Sequence, residues 1–173
     1  MTTQEAFVRE NTAPVTPSLV PELQLCLASE TCPVWLQTPE HFSKLGIPEP
    51  FWAFAWAGGQ ALARYIFDNP EIVYGQTILD FGSGSGIVAI AAAKSGAAHV
   101  VASDIDEYAK AAIAINAKRN NVDIEITREN FIGIDKNWTT VFAADVCYEK
   151  NMSLIINTWL KSLASSGSKV FIG

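Results

Sequence analysis

The residues best arranged for chemistry lie in Ile78-Leu-Asp-Phe-Gly-Ser-Gly-Ser-Gly86. An apolar, branched run leads straight into a glycine-dense turn and then into a helical pattern from Ile87. Gly82 and Gly84 can take backbone angles that a side chain resists, and they let a ligand approach the main chain. The helix behind the turn offers backbone N–H groups, as a dinucleotide fold does for pyrophosphate. A glycine turn alone also has a plainer reading, a tight turn with no ligand. Two acids sharpen the choice. Asp80 precedes Gly82, where a carboxylate would crowd a pyrophosphate but suits a cationic or amino-bearing ligand. Asp104 ends the run Val100-Val-Ala-Ser-Asp104, roughly twenty residues after the turn, where a carboxylate can accept from both ribose hydroxyls. Asp104 and Asp106 could instead cap the next helix, a role that fits Asp106 better. Together these residues describe an adenosyl ligand without pyrophosphate, so S-adenosylmethionine fits better than NAD.

The elements that position these residues alternate regularly. Strands are expected at Thr77–Phe81, His99–Ser103, 123–127, 140–144 and Lys169–Ile172. Helices are expected over 57–67, 87–95 and 106–119, and around Met152, Ile155, Ile156, Trp159, Leu160 and Leu163. Strand-helix-strand at this spacing predicts a Rossmann-like α/β fold, a parallel sheet covered by helices. Residues 1–56 form an arm ahead of a core over 57–173. Prolines at 14, 17, 21 and 33 predict a mostly irregular arm with one short helix opened by Pro21, followed by a loop-rich aromatic segment over 35–54.

Composition limits the function classes. The chain has 173 residues, 49% hydrophobic and 17% charged, with a formal net charge of −6. That charge argues against broad binding to nucleic acid or to anionic membrane. Cys26, Cys32 and Cys147, with His41 and His99, show no zinc-site spacing. The opening reads neither as a secretory signal nor as an arginine-rich transit segment, so a cytoplasmic protein is expected.

Beyond the glycine turn, the chain resembles the class I methyltransferases, and within them the electron transfer flavoprotein beta-subunit lysine methyltransferases. The resemblance runs through Thr16-Pro-Ser-Leu-Val-Pro-Glu-Leu-Gln-Leu25, then Pro50-Phe-Trp-Ala-Phe-Ala-Trp-Ala-Gly-Gly-Gln-Ala-Leu-Ala-Arg-Tyr65 and Leu79-Asp-Phe-Gly-Ser-Gly-Ser-Gly86. It continues through Ala102-Ser-Asp-Ile-Asp106 and Ala144-Asp-Val-Cys-Tyr-Glu149. It implies S-adenosylmethionine as cofactor and a protein lysine as acceptor. The implied substrate is the electron transfer flavoprotein beta subunit, with a ribosomal protein a further candidate. The same resemblance implies that Trp56, Gly58, Gly59 and Gln60 wall the methionine half of the cofactor, with Asp80, Gly82 and Gly84 as its floor. It makes Asp104 the ribose acceptor and sets Asn130 against the adenine amino group. Asp145 and Tyr148 become the Asp-x-x-Tyr signature that holds the amine.

Carboxylate and phenol suit that last task, and aromatic faces such as Trp52 or Trp56 could attract a cation. The alternatives are a helix cap or loop anchor for Asp145 and core filling for Tyr148 and Trp56. A methyltransferase acting on a small amine and a non-enzymatic binding scaffold also remain open. The resemblance further implies seven strands in the order 3-2-1-4-5-7-6. Only five are found here, so a C-terminally incomplete sheet with an open, apolar edge is expected at Lys169–Ile172.

Overall fold

A computed structural model describes the backbone of residues 1–173 and the side chains at all positions except 39, 41 and 45. Five parallel strands form the central sheet: β3 (Thr77–Phe81), β4 (His99–Ser103), β5 (Glu125–Thr127), β6 (Thr140–Ala143) and β7 (Lys169–Ile172). Their order is β5-β4-β3-β6-β7, with β3 central between β4 and β6. Counted from β3, that is the expected 3-2-1-4-5.

Each strand splits its residues between two faces, as the period of two requires. Ile78, Val100 and Phe142 join one core cluster, whereas Leu79, Val101 and Val141 join another. The first face is covered by α3 (Ala57–Asp68) and α4 (Ile87–Lys94), which contribute Leu62, Ala63, Ile66, Ile87 and Ile90. The second is covered by α6 (Lys150–Ser165), through Ile156, Trp159, Leu160 and Leu163. Both faces are buried, so the strands read as continuous apolar runs and not as alternating ones. The fifth helix, α5 (Glu107–Arg119), is capped by Asp106, whose carboxylate accepts from the Tyr108 amide at 2.8 Å.

The arm differs from expectation. No helix opens at Pro21, which sits in a turn. The arm's first helix is α1 (Thr3–Asn11), held by a capping box between Thr2 and Glu5. The apolar run over 23–27 instead ends in a strand, β2 (Leu25–Leu27), paired antiparallel with β1 (Ala13–Val15). The extended form wins because Leu25, Cys26 and Leu27 are all buried, and the Cys26 amide finds an acceptor on α5. The aromatic segment carries α2 (Pro39–Leu45) and two short 3₁₀ turns, Pro33–Leu36 and Phe51–Ala53. The arm rests on α5 through a cluster of Val8, Val34, Phe42 and Trp52 against Ala109, Ala112 and Ile115. No helix among the described residues is long and apolar enough to cross a membrane.

Candidate active site

The carboxyl ends of β3, β4, β5 and β6 lie side by side, and each carries one of the expected polar residues. In an open parallel sheet this is the edge where ligands gather. The turn after β3 has Gly82, Gly84 and Gly86 at φ +68°, +53° and +83°. A Cβ on Gly82 would also collide with Val146, so this position tolerates only glycine. At Gly84 a Cβ would stand in ordinary contact with the Trp52 backbone at 3.9 Å, so the left-handed backbone angle, and not crowding, is what favours glycine there.

Asp80 is 1% exposed and lies beneath this turn. Its Oδ2 accepts from the Ser83 hydroxyl at 2.6 Å and from the Ala89 amide at 3.0 Å. It therefore fastens the turn to the start of α4. Burial pushes its carboxyl up to about 6, against the pull of those two donors and with a further push from Asp104. Asp104 is half-buried at the end of β4. One of its oxygens accepts from the Gly84 amide at 2.9 Å and the other from the Asp106 amide at 3.0 Å. Burial raises its carboxyl too, and the same two amides offset part of the rise. Each carboxylate oxygen can accept a second hydrogen bond, so Asp104 keeps acceptor capacity for a diol.

Asn130 follows β5, exposed, with its side-chain oxygen accepting from the Ile132 amide at 3.1 Å. The loop around it is tied to β4 where the Ser103 hydroxyl donates to the Glu129 carbonyl at 2.7 Å. Asp145 follows β6 at φ +55°, a left-handed angle that Asp tolerates better than most residues. Its two oxygens accept from the Gly58 amide at 3.1 Å and the Gly59 amide at 2.7 Å. It thus caps the first turn of α3 from across the sheet, the plainer of its two expected roles. A Cβ on Gly58 would collide with the Gly173 backbone and fall 2.9 Å from Asp145 Oδ1, so glycine there is what lets both approach.

Trp56 stands just ahead of α3, 47% exposed, and its indole donates to the Phe51 carbonyl at 2.9 Å. Gln60 donates to the Ala55 carbonyl at 2.7 Å. Tyr148 is 77% exposed, with its ring 5.7 Å from that of Phe51. Neither Trp56 nor Tyr148 fills core. Trp52 is the reverse: it is 1% exposed and stacked on Tyr108 at 6.4 Å. Its face is not open to a cation, contrary to expectation, because the 3₁₀ turn Phe51–Ala53 rotates it into the arm's apolar cluster.

One residue escaped the sequence reading. Asn116 lies within the helix expected over 106–119 and carried no role of its own, yet it is fully buried. Its oxygen accepts from the Cys26 amide at 2.7 Å, and its nitrogen donates to the Ser85 carbonyl at 2.9 Å. It joins the arm to the glycine turn in one step. A polar residue amid the apolar residues of a helix was the available signal.

The chain is 38% identical over 175 residues to the electron transfer flavoprotein beta subunit lysine methyltransferase of Xenopus laevis, covering 99% of this chain and 70% of that protein. The chain belongs to the electron transfer flavoprotein beta subunit lysine methyltransferase family. The Danio rerio member is 39% identical, over 96% of this chain and 65% of its own length. The chain thus spans about two thirds of the length of these curated relatives. The ribosomal protein L11 methyltransferase (PrmA) family model matches residues 61–160. Among solved structures, a ribosomal protein L11 methylase from Lactobacillus delbrueckii subsp. bulgaricus superposes with a TM-score of 0.55 at 27% identity. That match covers 69% of this chain and 61% of the other.

The site fits the cofactor of such a methyltransferase, S-adenosylmethionine. Asp104, held at the end of β4 by the Gly84 and Asp106 amides, retains acceptor capacity beside the glycine turn. Among the described residues no group of His, Cys, Asp and Glu is placed to hold a metal ion.

Proposed function

We propose that this chain catalyses transfer of a methyl group from S-adenosylmethionine to lysine side chains of a protein, with the electron transfer flavoprotein beta subunit as substrate. The observation that carries this reading is Asp104, fixed by two backbone amides beside the glycine turn with acceptor capacity left over. When bound, the cofactor would supply a methyl group on a sulfonium: the lone pair of a neutral amine forms the new C–N bond as the methyl C–S bond breaks, and the sulfur leaves as a neutral thioether. The chain's own residues do the rest. Asp104 would accept from the ribose hydroxyls, with Gly82–Gly86 as the main chain beside the ligand. Asn130 would serve the adenine amino group, and Asp80 keeps the turn in shape from below. Asp145 and Tyr148 flank the acceptor, where alignment of the amine and exclusion of water lower the barrier. The amine's surplus proton passes to solvent.

The test incubates the protein with labelled S-adenosylmethionine and purified electron transfer flavoprotein beta subunit, then reads intact mass and maps the modified residues. Methyl groups on lysines of that subunit support the reading. The match to the ribosomal protein L11 methyltransferase model favours a second substrate, so L11 forms a parallel arm. Methylation of L11 alone moves the substrate assignment to it. Methylation of neither, with the cofactor bound, overturns the protein-lysine reading.

A further inference from the structure

Helix α6 carries more apolar residues than the sheet uses. Ile156, Trp159, Leu160 and Leu163 pack on the sheet, whereas Met152 and Ile155, expected on the same stripe, are exposed. Leu154 is 64% exposed and Ile155 52%. These two border an open groove of about 490 Å³ whose opposite wall is Ile132 and Gly133, in the loop after β5, with Thr158 and Trp159 completing the lining. Contiguous exposed apolar residues rimmed by polar ones mark an interaction surface.

The groove is held open by its own contacts. The Trp159 indole donates to the Ile134 carbonyl at 2.9 Å, which ties the loop to α6, and its ring meets Phe81 of β3 edge-on at 4.8 Å. Lys136 steadies the loop from the other side, 2.8 Å from the Glu129 carboxylate and 4.5 Å over the Phe131 ring. Both walls start from residues of the site. The Ile132 amide donates to Asn130, and α6 begins two residues after Tyr148. From Leu154 to Ser162 the groove follows α6 for about 12 Å.

Charge narrows the choice of occupant. The charged residues of α6 are Lys150 and Lys161, and the helix contains no acid. They stand about three turns apart and share an exposed stripe with Leu154. Among the described residues neither is in an ion pair. Glu149 stands at the end of the helix nearest the site, and Asp135, in the opposite loop, accepts from the Asn137 amide at 2.7 Å. Two copies of this stripe laid antiparallel would set lysine against lysine, with no acid on either helix to offset them. The groove therefore suits an occupant that brings apolar residues for Leu154 and Ile155 and carboxylates for the two lysines.

We propose that the groove between α6 and the loop over 132–134 is a docking site for an acidic amphipathic segment of the substrate protein, its apolar residues on Leu154 and Ile155 and its carboxylates toward Lys150 and Lys161. The inference rests on the protein-lysine reading above and adds a second contact, apart from the reacting atoms, by which a protein substrate is chosen. Such a contact acts on substrate affinity and not on the chemical step.

The test has two arms and uses the whole chain. In the first, fluorescence polarisation follows a short labelled peptide with leucines at helical spacing and glutamates between them, beside a counterpart with lysines for the glutamates. The glutamate peptide is expected to bind about tenfold more tightly or better. Leu154→Ser with Ile155→Ser, and separately Lys150→Glu with Lys161→Glu, should each weaken it by about three- to thirtyfold. Lys110→Glu with Lys118→Glu, the same charge change on α5, should leave it within about twofold. All six residues are exposed, so the fold stands in each variant. In the second arm, the two groove variants should raise the KM for the electron transfer flavoprotein beta subunit by a similar factor, with kcat within about twofold. Equal binding of the two peptides, no binding, or binding untouched by the groove variants would overturn the proposal. So would an unchanged KM on a subunit that is methylated, or a dimer in analytical ultracentrifugation that Leu154→Ser with Ile155→Ser abolishes, which would give the groove to a second copy. A subunit left unmethylated while the peptide arm behaves as expected would reject that substrate and leave the groove.

Discussion

Asp145 offers the most quantitative test of the site, because its carboxylate stands in for a helix cap that the local sequence lacks. Trp56, the residue at the N-cap of α3, makes no side-chain cap hydrogen bond. The Gly58 and Gly59 amides bond instead to Asp145, 87 and 86 residues away. Removing a helix cap costs about 1 kcal/mol, up to ~2, and losing a negative charge at a helix N-terminus adds roughly 0.3–1 kcal/mol. The backbone at φ +55° adds a separate term. Alanine held there costs about 1–2 kcal/mol, whereas glycine does not pay it. Asp145→Ala should therefore destabilise by about 2–5 kcal/mol and Asp145→Gly by about 1–3 kcal/mol. Asp145→Asn keeps one amide acceptor and tolerates the backbone angle, so about 1 kcal/mol is expected. Urea denaturation followed by circular dichroism reads these as midpoint shifts at constant slope. An alanine variant as stable as the parent would refute the cap, and a glycine variant less stable than alanine would refute the strain argument. The same series separates structure from chemistry. If Asp145→Asn loses methylation a hundredfold while stability falls by only ~1 kcal/mol, the carboxylate also touches the acceptor amine.

Asn116→Ala should cost about 2–4 kcal/mol, since the Cys26 amide and the Ser85 carbonyl both lose their partner where neither reaches water; a cost under ~0.5 kcal/mol by urea denaturation would show that the bridge is idle. Asp104→Asn should weaken S-adenosylmethionine roughly tenfold by calorimetry, through loss of charge-assisted hydrogen bonds to the ribose; an unchanged dissociation constant in a folded variant would remove Asp104 from the cofactor site. Asp80 titrates near 6 in the fold against 3.8 for the free side chain, so the folded state holds this proton more tightly than the unfolded chain. Its contribution to stability is then present below about pH 4 and lost as pH rises through about 6, a swing of about 3 kcal/mol. Stability curves of the parent and Asp80→Asn should diverge by that amount between those limits, and a constant difference would contradict the burial argument.

How far the sequence could be read depends on how far apart the interacting residues lie along it. The ends of β3, β4 and β7 fell where expected, because each is an unbroken branched run bounded by turn residues. The glycine turn and Asp104 were legible for the same reason: strand, turn, helix and strand follow one another, and the Gly84 amide meets Asp104 only 20 residues on. The arm was not legible. Helix α1 is polar, with Val8 its one buried residue, and is held by the Thr2–Glu5 box and by Phe7 lying against Trp52 and Tyr108. The box was readable at the start of the chain; the aromatic support was not. The short apolar run ending at Leu27 could not declare itself strand or helix by periodicity. Its partner on β1 and the Asn116 acceptor decided the matter, from about a dozen and 90 residues away.

The two tryptophans make the limit plainest. Trp52 and Trp56 are the same residue, four apart in one aromatic stretch, and as sequence either could face a cation. A 3₁₀ turn of three residues separates their fates. It sends Trp52 under the arm against Tyr108 and leaves Trp56 at the surface, held to Phe51. Residue type sets what an indole can do. Which of the two can meet a ligand is decided by α5 and α1, whose side chains give Trp52 an apolar place to go and leave Trp56 none.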